Sequence, residues 1–234
     1  MSTQQPHRDH LALLWQRILS RSERRDELFD SYASRLLDRH AEDRLPHPGF
    51  VGKDYIIGGL LFLGMNPGTG GDGQAADELP HYERLRQLMV AEPEQRLTAF
   101  ERLIEYDTDW YPRIRIMQTI VSPLLASAGL TYSCIAYLNV LKWRTAKSSG
   151  LSPLYRISLK AHTLEQLNEL EPGVIAVLGK GVANALQELP EFQDTYGSRC
   201  VTIPRLRGDY GLPVDGLAAI ERIVQLLRNR KASA

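Results

Sequence analysis

Short apolar segments that alternate with amphipathic segments constrain the fold of this chain more than any other feature of its sequence. The apolar segments have the length of strands, and they are residues 56–63, 132–140, 174–178 and 199–203. Apolar residues in the other segments recur every three or four positions, as in helices, and examples are 114–128, 156–170 and 215–230. Strands that alternate with helices favour right-handed β-α-β crossovers and a mostly parallel sheet covered by helices. We therefore expect an α/β protein.

A helical region precedes the first apolar segment. Apolar residues recur at helical steps among charged residues from 10 to 44, with an interruption at 20–25, and the sequence Leu-Pro-His-Pro-Gly at 45–49 ends the pattern. The chain has 234 residues, of which 43% are hydrophobic and 24% are charged, as in a soluble globular domain. We expect one domain over residues 1–234, with residues 1–50 as a helical extension packed on it.

The composition excludes several classes of protein. The longest apolar runs are too short to span a bilayer, and residues 1–10 are polar and show no secretory signal, so we expect a cytoplasmic protein without membrane contact. Lys and Arg total 28, as do Asp and Glu, so no global basic field indicates a nucleic-acid partner. A local basic patch remains compatible with this balance.

Metal sites are not indicated by the cysteines or the histidines. Cys134 and Cys200 are too few and too far apart in sequence for a four-cysteine zinc or iron–sulfur site. The histidines lack metal-ligand spacing and are interpreted as surface or structural residues; they are His7, His10, His40, His47, His81 and His162. We expect no metal, iron–sulfur cluster or other cofactor.

Distinctive polar residues follow three of the four predicted strands. Asn66 lies in a glycine-rich segment after the first strand, Asn139 ends the second, and Arg205 and Arg207 follow the fourth. Ligands of parallel sheets bind outside the carboxyl ends of the strands. These residues are therefore expected to line one cleft.

The glycine-rich segments by themselves do not identify a ligand. The glycines of 68–73 and those of Gly179-Lys180-Gly181 can bind a phosphate, but neither segment matches a dinucleotide-binding or P-loop pattern. A Rossmann-like nucleotide enzyme is therefore a weaker alternative than the functions described below.

The motifs in combination resemble those of the uracil-DNA glycosylase superfamily. Gly64-Met65-Asn66-Pro67-Gly68 resembles its first active-site motif, most closely in the mismatch-specific and single-strand-selective monofunctional branches. Residues 135–144 resemble the strand that ends in a base-reading asparagine, and 172–183 resemble the stretch that follows it. The resemblance covers residues 55–206 in order. It implies a three-layer α/β/α fold with a mostly parallel four-stranded central sheet.

The resemblance implies a role for each matching residue. Asn66 would hold the attacking water, because an amide can position water although it cannot accept its proton. Asn139 would read the edge of an extruded base. Tyr111, chosen over Trp110 and Trp143 for its position, would stack on that base. Asn66 can instead cap a turn beside Pro67, and Asn139 can instead be a buried amide satisfied by backbone. Four more residues would line the base pocket, and they are Gly64, Met65, Pro67 and Gly68.

The third family motif departs from the pattern. Most of the superfamily has a histidine after the fourth strand, whereas this chain has Pro204-Arg205-Leu206-Arg207. Arg205 or Arg207 would stabilise the leaving base or contact phosphate, and Leu206 would fill the gap in the duplex. A basic rim for DNA would also include Lys142, Arg144 and Lys147.

The sequence therefore predicts a monomeric, monofunctional DNA glycosylase that excises uracil or another modified base and leaves an abasic site. One alternative substrate is a bulky hypermodified pyrimidine of bacteriophage DNA, which would make the chain a defence enzyme. Another alternative is a catalytically silent binder of DNA or nucleotide that keeps the fold.

Overall fold

The computed structural model describes residues 5–67, 74–146, 150–205 and 212–232. The strands are β1 (Phe50–Val51), β2 (Leu60–Gly64), β3 (Ile135–Asn139), β4 (Val174–Leu178) and β5 (Cys200–Ile203). The helices are α1 (Arg8–Ser20), α2 (Arg25–Phe29), α3 (Gln74–Met89), α4 (Pro93–Trp110), α5 (Ser122–Ala128), α6 (Ser152–Ser158), α7 (Leu164–Leu170), α8 (Lys180–Gln187), α9 (Pro190–Tyr196) and α10 (Val214–Ala232). The α/β class expected from the sequence is confirmed.

The sheet has five strands in the order β1-β3-β2-β4-β5. Strands β2 to β5 are the four predicted from the apolar segments, and each neighbouring pair among them is parallel. The added strand β1 pairs antiparallel with β3 through Phe50 and Val51, so the sheet is mixed, and the prediction of four strands was wrong in this respect. A strand of only two residues is too short to show a periodic pattern, which is why the sequence did not reveal β1.

Both faces of the sheet contribute to apolar cores. Successive residues of a strand point to opposite faces. Accordingly, Leu61 and Leu63 of β2 enter one cluster of buried side chains, whereas Leu60 and Phe62 enter another. The first cluster includes residues of α1, α3, α4 and α7, and the second includes residues of α5 and α10. Among the helices of the described ranges, none is long and apolar enough to cross a membrane.

Two long predicted helices contain a wide turn. The helix predicted at 114–128 includes a π-helical turn at Met117–Val121 before α5, and Gly129, with φ of +62°, ends it. The helix predicted at 156–170 is α6, a π-helical turn at Leu159–Thr163, and α7. Each is a single π-helical turn that interrupts an otherwise continuous helical segment.

The N-terminal extension packs on the rest of the chain through both side chains and backbone. Trp15 of α1 is buried, and its ring meets the ring of Phe100 in α4 edge-on at 5.9 Å. Farther along, the amide of Leu37 donates to the carbonyl of Arg144 at 3.0 Å. The amide of His47 likewise donates to the carbonyl of Lys142 at 2.7 Å. The extension therefore holds the segment that follows β3.

Trp143 is the main apolar anchor of that segment. It is fully buried, its ring meets the ring of Phe29 edge-on at 5.2 Å, and its N–H donates to the carbonyl of Arg44 at 2.9 Å. Both partners belong to the N-terminal extension. Trp143 thus joins the extension to the end of the central sheet.

We expect Trp143→Ala to lower the free energy of unfolding by about 3–5 kcal/mol, because it leaves a large cavity. Trp143→Phe keeps most of the ring and loses the hydrogen bond, and we expect a smaller loss. Urea denaturation followed by circular dichroism measures both. A loss below about 1 kcal/mol for the alanine variant would contradict this role.

Candidate functional site

The candidate site lies at the carboxyl ends of β2 and β3. Gly64 is the register partner of Asn139, so the last residues of the two strands stand side by side. The pairing continues beyond the strands, because the amide of Val140 donates to Gly64 and that of Leu141 to Met65, both at 2.9 Å. Asn66 and Asn139 therefore come to the same edge of the sheet, as expected from the sequence.

Asn139 presents a buried acceptor at this edge. The residue is only 5% exposed, and no donor reaches its side-chain Oδ1 within the part of the chain that the structure describes. A buried acceptor without a donor costs about 1–3 kcal/mol. The Asn139 amide is thus suited to receive a hydrogen bond from a ligand.

Gly64 allows two polar side chains to approach the backbone. A methyl group on Gly64 would lie 2.5 Å from the hydroxyl oxygen of Tyr137 and 2.7 Å from Oδ1 of Asn139. Both distances are shorter than van der Waals contact, so no larger residue fits without displacing them. Tyr137 was missed in the sequence because it sits inside an apolar strand. Its spacing of two from Asn139 places both on one face.

The two tyrosines of the site lie next to each other. Tyr111 is 5% exposed, stacks on Phe50 at 5.1 Å, and lies 5.7 Å from the ring of Tyr137. Burial raises the pKa of Tyr137 to about 12, and Arg205 opposes this shift. Burial also raises the pKa of Tyr111 well above its usual value. Both hydroxyls are therefore neutral near neutral pH and can donate hydrogen bonds.

Asn66 has a partner that the sequence did not indicate. Its Nδ2 donates to Oγ1 of the fully buried Thr145 at 2.9 Å, which fixes the orientation of the amide. Asn66 is partly exposed, as are the neighbouring Met65 and Pro67. A fixed amide with partial exposure can hold a water molecule by hydrogen bonds. Gly68, the last predicted residue of this motif, lies outside the described residues.

Arg205 comes to the same edge from β5. It is partly exposed, and its Nε would lie 3.2 Å from a methyl group placed on Gly179, the residue that precedes α8. Its positive charge also opposes the rise that burial causes in the pKa of Tyr137. Leu206 and Arg207 lie outside the described residues.

Lys142 and Arg144 are not placed as a basic rim. Lys142 is fully buried and its Nζ donates to the carbonyl of Asn139 at 2.7 Å, while burial holds its pKa well below the usual value. Arg144 is 5% exposed and donates to the hydroxyl of Tyr82 at 3.0 Å and to Glu78. Contact of these two side chains with phosphate, which the sequence suggested, does not fit this burial. Lys147 lies outside the described residues.

Polar side chains line one face of α3 beside the site. Glu78, His81 and Tyr82 lie three and four residues apart, so they share one face, which we call the polar face of α3. Nδ1 of His81 donates to Asp107 at 2.8 Å, and the hydroxyl of Tyr82 lies 3.2 Å from Nε2 of His47. His47, His81, Tyr82 and Asp107 are all buried. The partners are distant in sequence, and no pattern revealed them.

Burial governs the protonation of this cluster. It lowers the pKa of His47 well below its usual value, and the positive charge of Arg144 acts in the same direction. Burial raises the pKa of Asp107, which the neighbouring His81 partly offsets. Burial therefore disfavours the charged forms of both His47 and Asp107.

The described residues contain no group of three or more His, Cys, Asp or Glu side chains that could hold a metal ion. Cys134 and Cys200 are free thiols with partial burial. Burial raises the pKa of Cys200 to about 12, so its thiol is protonated and unreactive near neutral pH.

Comparison with known proteins does not assign this chain to a family. No protein-family model matches the chain, and a search of curated proteins gives no match. The interpretation of the site therefore depends on its geometry and on the motif resemblance.

We expect Gly64→Ala to destabilise the fold by about 1–3 kcal/mol, because the new methyl group must displace Tyr137 and Asn139. Tyr137→Phe removes the closer of the two contacts. The double variant should therefore lose less stability than the sum of the single variants. Denaturant unfolding of all four proteins gives this coupling, and strict additivity would contradict the close approach.

His162 lies in the buried region around Lys142, whose charge contributes to lowering the pKa of His162, and its titration tests that burial. The ring is fully buried, its Nδ1 accepts from Arg21 at 3.0 Å, and burial lowers its pKa to about 3. The unfolded chain takes up a proton on His162 below about pH 6.5, whereas the folded chain does not. Stability therefore falls as the pH drops through that range.

When the pH is lowered from about 8 to about 5, the proton uptake by His162 in the unfolded chain should by itself reduce the free energy of unfolding by about 2 kcal/mol. His162→Gln keeps an acceptor for Arg21 and cannot titrate, so we expect a correspondingly weaker pH dependence. Urea unfolding at several pH values measures it, and the wild type at about pH 8 serves as the reference. An unchanged pH dependence would contradict the burial of a neutral ring.

Proposed function

We propose that the chain is a monofunctional DNA glycosylase of the uracil-DNA glycosylase type, with the three-layer α/β/α arrangement of that superfamily. It would extrude uracil or another modified base from DNA, hydrolyse the N-glycosidic bond, and leave an abasic site. The observation that carries this proposal is the buried Oδ1 of Asn139, which lacks a donor among the described residues and sits beside Gly64 and the Asn66 segment.

The amide of Asn139 suits the edge of a nucleobase. Its oxygen accepts a hydrogen bond and its nitrogen donates, so one side chain can recognise an N–H and a carbonyl of the same ring. The backbone carbonyl of Asn139 is held by Lys142, which fixes the backbone from which the amide extends. Rigid placement of this kind supports discrimination between bases, because a wrong base leaves buried polar groups unpaired.

Tyr111 is buried, so we propose that it supports base binding indirectly and does not stack on the base itself. The ring is buried against Phe50 and contacts Tyr137, whose hydroxyl in turn lies close to Gly64. The hydroxyl of Tyr137 and Oδ1 of Asn139 thus approach the same position beside Gly64. We propose that Tyr137 contacts the base directly and that Tyr111 supports Tyr137.

The remaining groups fit hydrolysis by water. Asn66, oriented by Thr145, would hold the water on the sugar side. Arg205 would place positive charge near the base, where negative charge develops as the bond breaks. Water is the only co-reactant that this reaction requires, so we propose a reaction without a cofactor and a DNA-bound monomer as its active form.

One observation favours a second candidate, a catalytically silent DNA or nucleotide binder. Position 66 carries an amide already engaged by Thr145, and an amide cannot act as a base.

For the enzymatic candidate, the substrate panel must extend from uracil to bulky hypermodified pyrimidines, because the histidine of the third motif is absent from this chain.

The test is release of free bases, detected by mass spectrometry, from single- and double-stranded DNA containing uracil, other modified bases, or hypermodified bacteriophage bases. Alkaline cleavage of labelled strands reports the abasic sites. We expect Asn139→Ala to slow release by about 10²–10³-fold, because it removes the base-reading amide. Asn229→Ala on α10 is the matched control and should keep the wild-type rate.

A wild-type protein that releases no base from any of these substrates at high enzyme concentration would contradict the glycosylase. DNA affinity that persists in that case, unchanged by Asn66→Ala, would favour the silent binder. Equal rates for Asn139→Ala and the wild type would remove Asn139 from the site.

A further inference from the structure

The polar face of α3 is unusual for a helix packed on a protein interior. A surface helix normally turns an apolar stripe inward. Farther along α3, Leu85 and Leu88 do so, but the preceding turns bury Tyr82, His81 and most of Glu78 instead. Buried ionisable groups are costly and are enriched at functional sites.

Glu78 is linked directly to the segment that holds Asn66. Its side chain is only 14% exposed, and its carboxylate accepts a hydrogen bond from Nη2 of the buried Arg144. The next residue, Thr145, accepts the hydrogen bond from the amide of Asn66. Adjacent residues of one segment thus bind the Glu78 carboxylate and the Asn66 amide.

The polar face of α3 is joined to the tyrosines of the site through Trp110, whose ring stacks on His81 at 4.6 Å and meets the ring of Tyr111 edge-on at 5.3 Å. The negative charge of Glu78 is among those that raise the pKa of Tyr111, after burial, Asp107 and Tyr137. Tyr111 in turn contacts Tyr137, whose hydroxyl lies against Gly64. Ring contacts therefore connect the polar face of α3, which carries Glu78, with the tyrosine hydroxyl beside Gly64.

The rest of the polar face fixes the position of Glu78. Arg144 donates through Nε to Tyr82 and through Nη2 to Glu78, so one guanidinium joins two residues of the helix. One turn after Glu78, His81 is held by Asp107 and stacks on Trp110 at 4.6 Å. A carboxylate held in this way needs little reorganisation during a reaction.

We propose that Glu78 is the catalytic carboxylate of this site, in place of an acidic residue at position 66. The proposal rests on the proposed glycosylase function. Glu78 would orient the attacking water together with Asn66 and would stabilise the positive charge that develops on the sugar.

The step balances with water as the only co-reactant. The C1′–N bond breaks and its electron pair leaves with the base. The water oxygen then bonds to C1′, and one water proton passes to the Glu78 carboxylate and on to solvent. The base anion takes one proton from solvent, so the products are the free base and the abasic sugar.

The experiment compares Glu78→Gln with the wild type in single-turnover base release, on the substrate that the wild type cleaves best. Glutamine retains an oxygen that can accept from Arg144, so we expect a folded protein. The rate should fall by about 10²–10⁴-fold with DNA affinity retained. Glu83→Gln, on an exposed position of the same helix, is the matched control and should keep the wild-type rate.

Two further variants separate chemistry from structure. In Glu78→Gly, sodium formate should restore part of the rate, because a small carboxylate can occupy the space of the missing one. Thermal unfolding of every variant is recorded. If Glu78→Gln unfolds below the assay temperature, Glu78→Asp gives the answer, because it keeps the charge but withdraws the carboxylate from the water.

A rate for Glu78→Gln within about threefold of the wild type would overturn the proposal while leaving the glycosylase function intact. So would a full rate for a stably folded Glu78→Asp, or a slow Glu78→Gly that formate does not restore. A wild type without base release on any DNA overturns the glycosylase function and this proposal together. The two failures are therefore distinguishable.

Discussion

The parallel register of β2 and β3 is the constraint on which the candidate site depends. It sets Gly64 opposite Asn139, and the hydrogen bonds beyond the strand ends carry the same register to Met65 and Leu141. A slip of one residue would turn Asn139 to the opposite face of the sheet. The apolar residues of β2 and β3 resist such a slip, because alternate side chains enter two separate cores.

Buried polar contacts then fix the segment after β3. Lys142 binds the carbonyl of Asn139, Arg144 binds residues of α3, and Thr145 binds Asn66. The N-terminal extension also hydrogen-bonds with the backbone of the same segment. Burying so many polar groups lowers stability relative to an apolar core, and their retention is consistent with a site that needs rigid positions.

The sequence predicted the parallel strands and the edge at which polar residues meet, because apolar runs and glycine-rich turns are local signals. It did not predict that Lys142 and Arg144 are buried, since a charged side chain in a loop is usually solvated. Their burial follows from partners such as Glu78 and Tyr82, which lie far away in sequence. Thr145 and Tyr137 were missed for the same reason, because their roles arise from neighbours in space.

The short strand β1 has a consequence for the edge of the sheet. The strand consists of only Phe50 and Val51, so it leaves few free backbone groups on its outer side. Edge strands of this length are poor templates for the addition of another chain. The β1 side of the sheet is therefore guarded against edge-to-edge aggregation by the brevity of the strand itself.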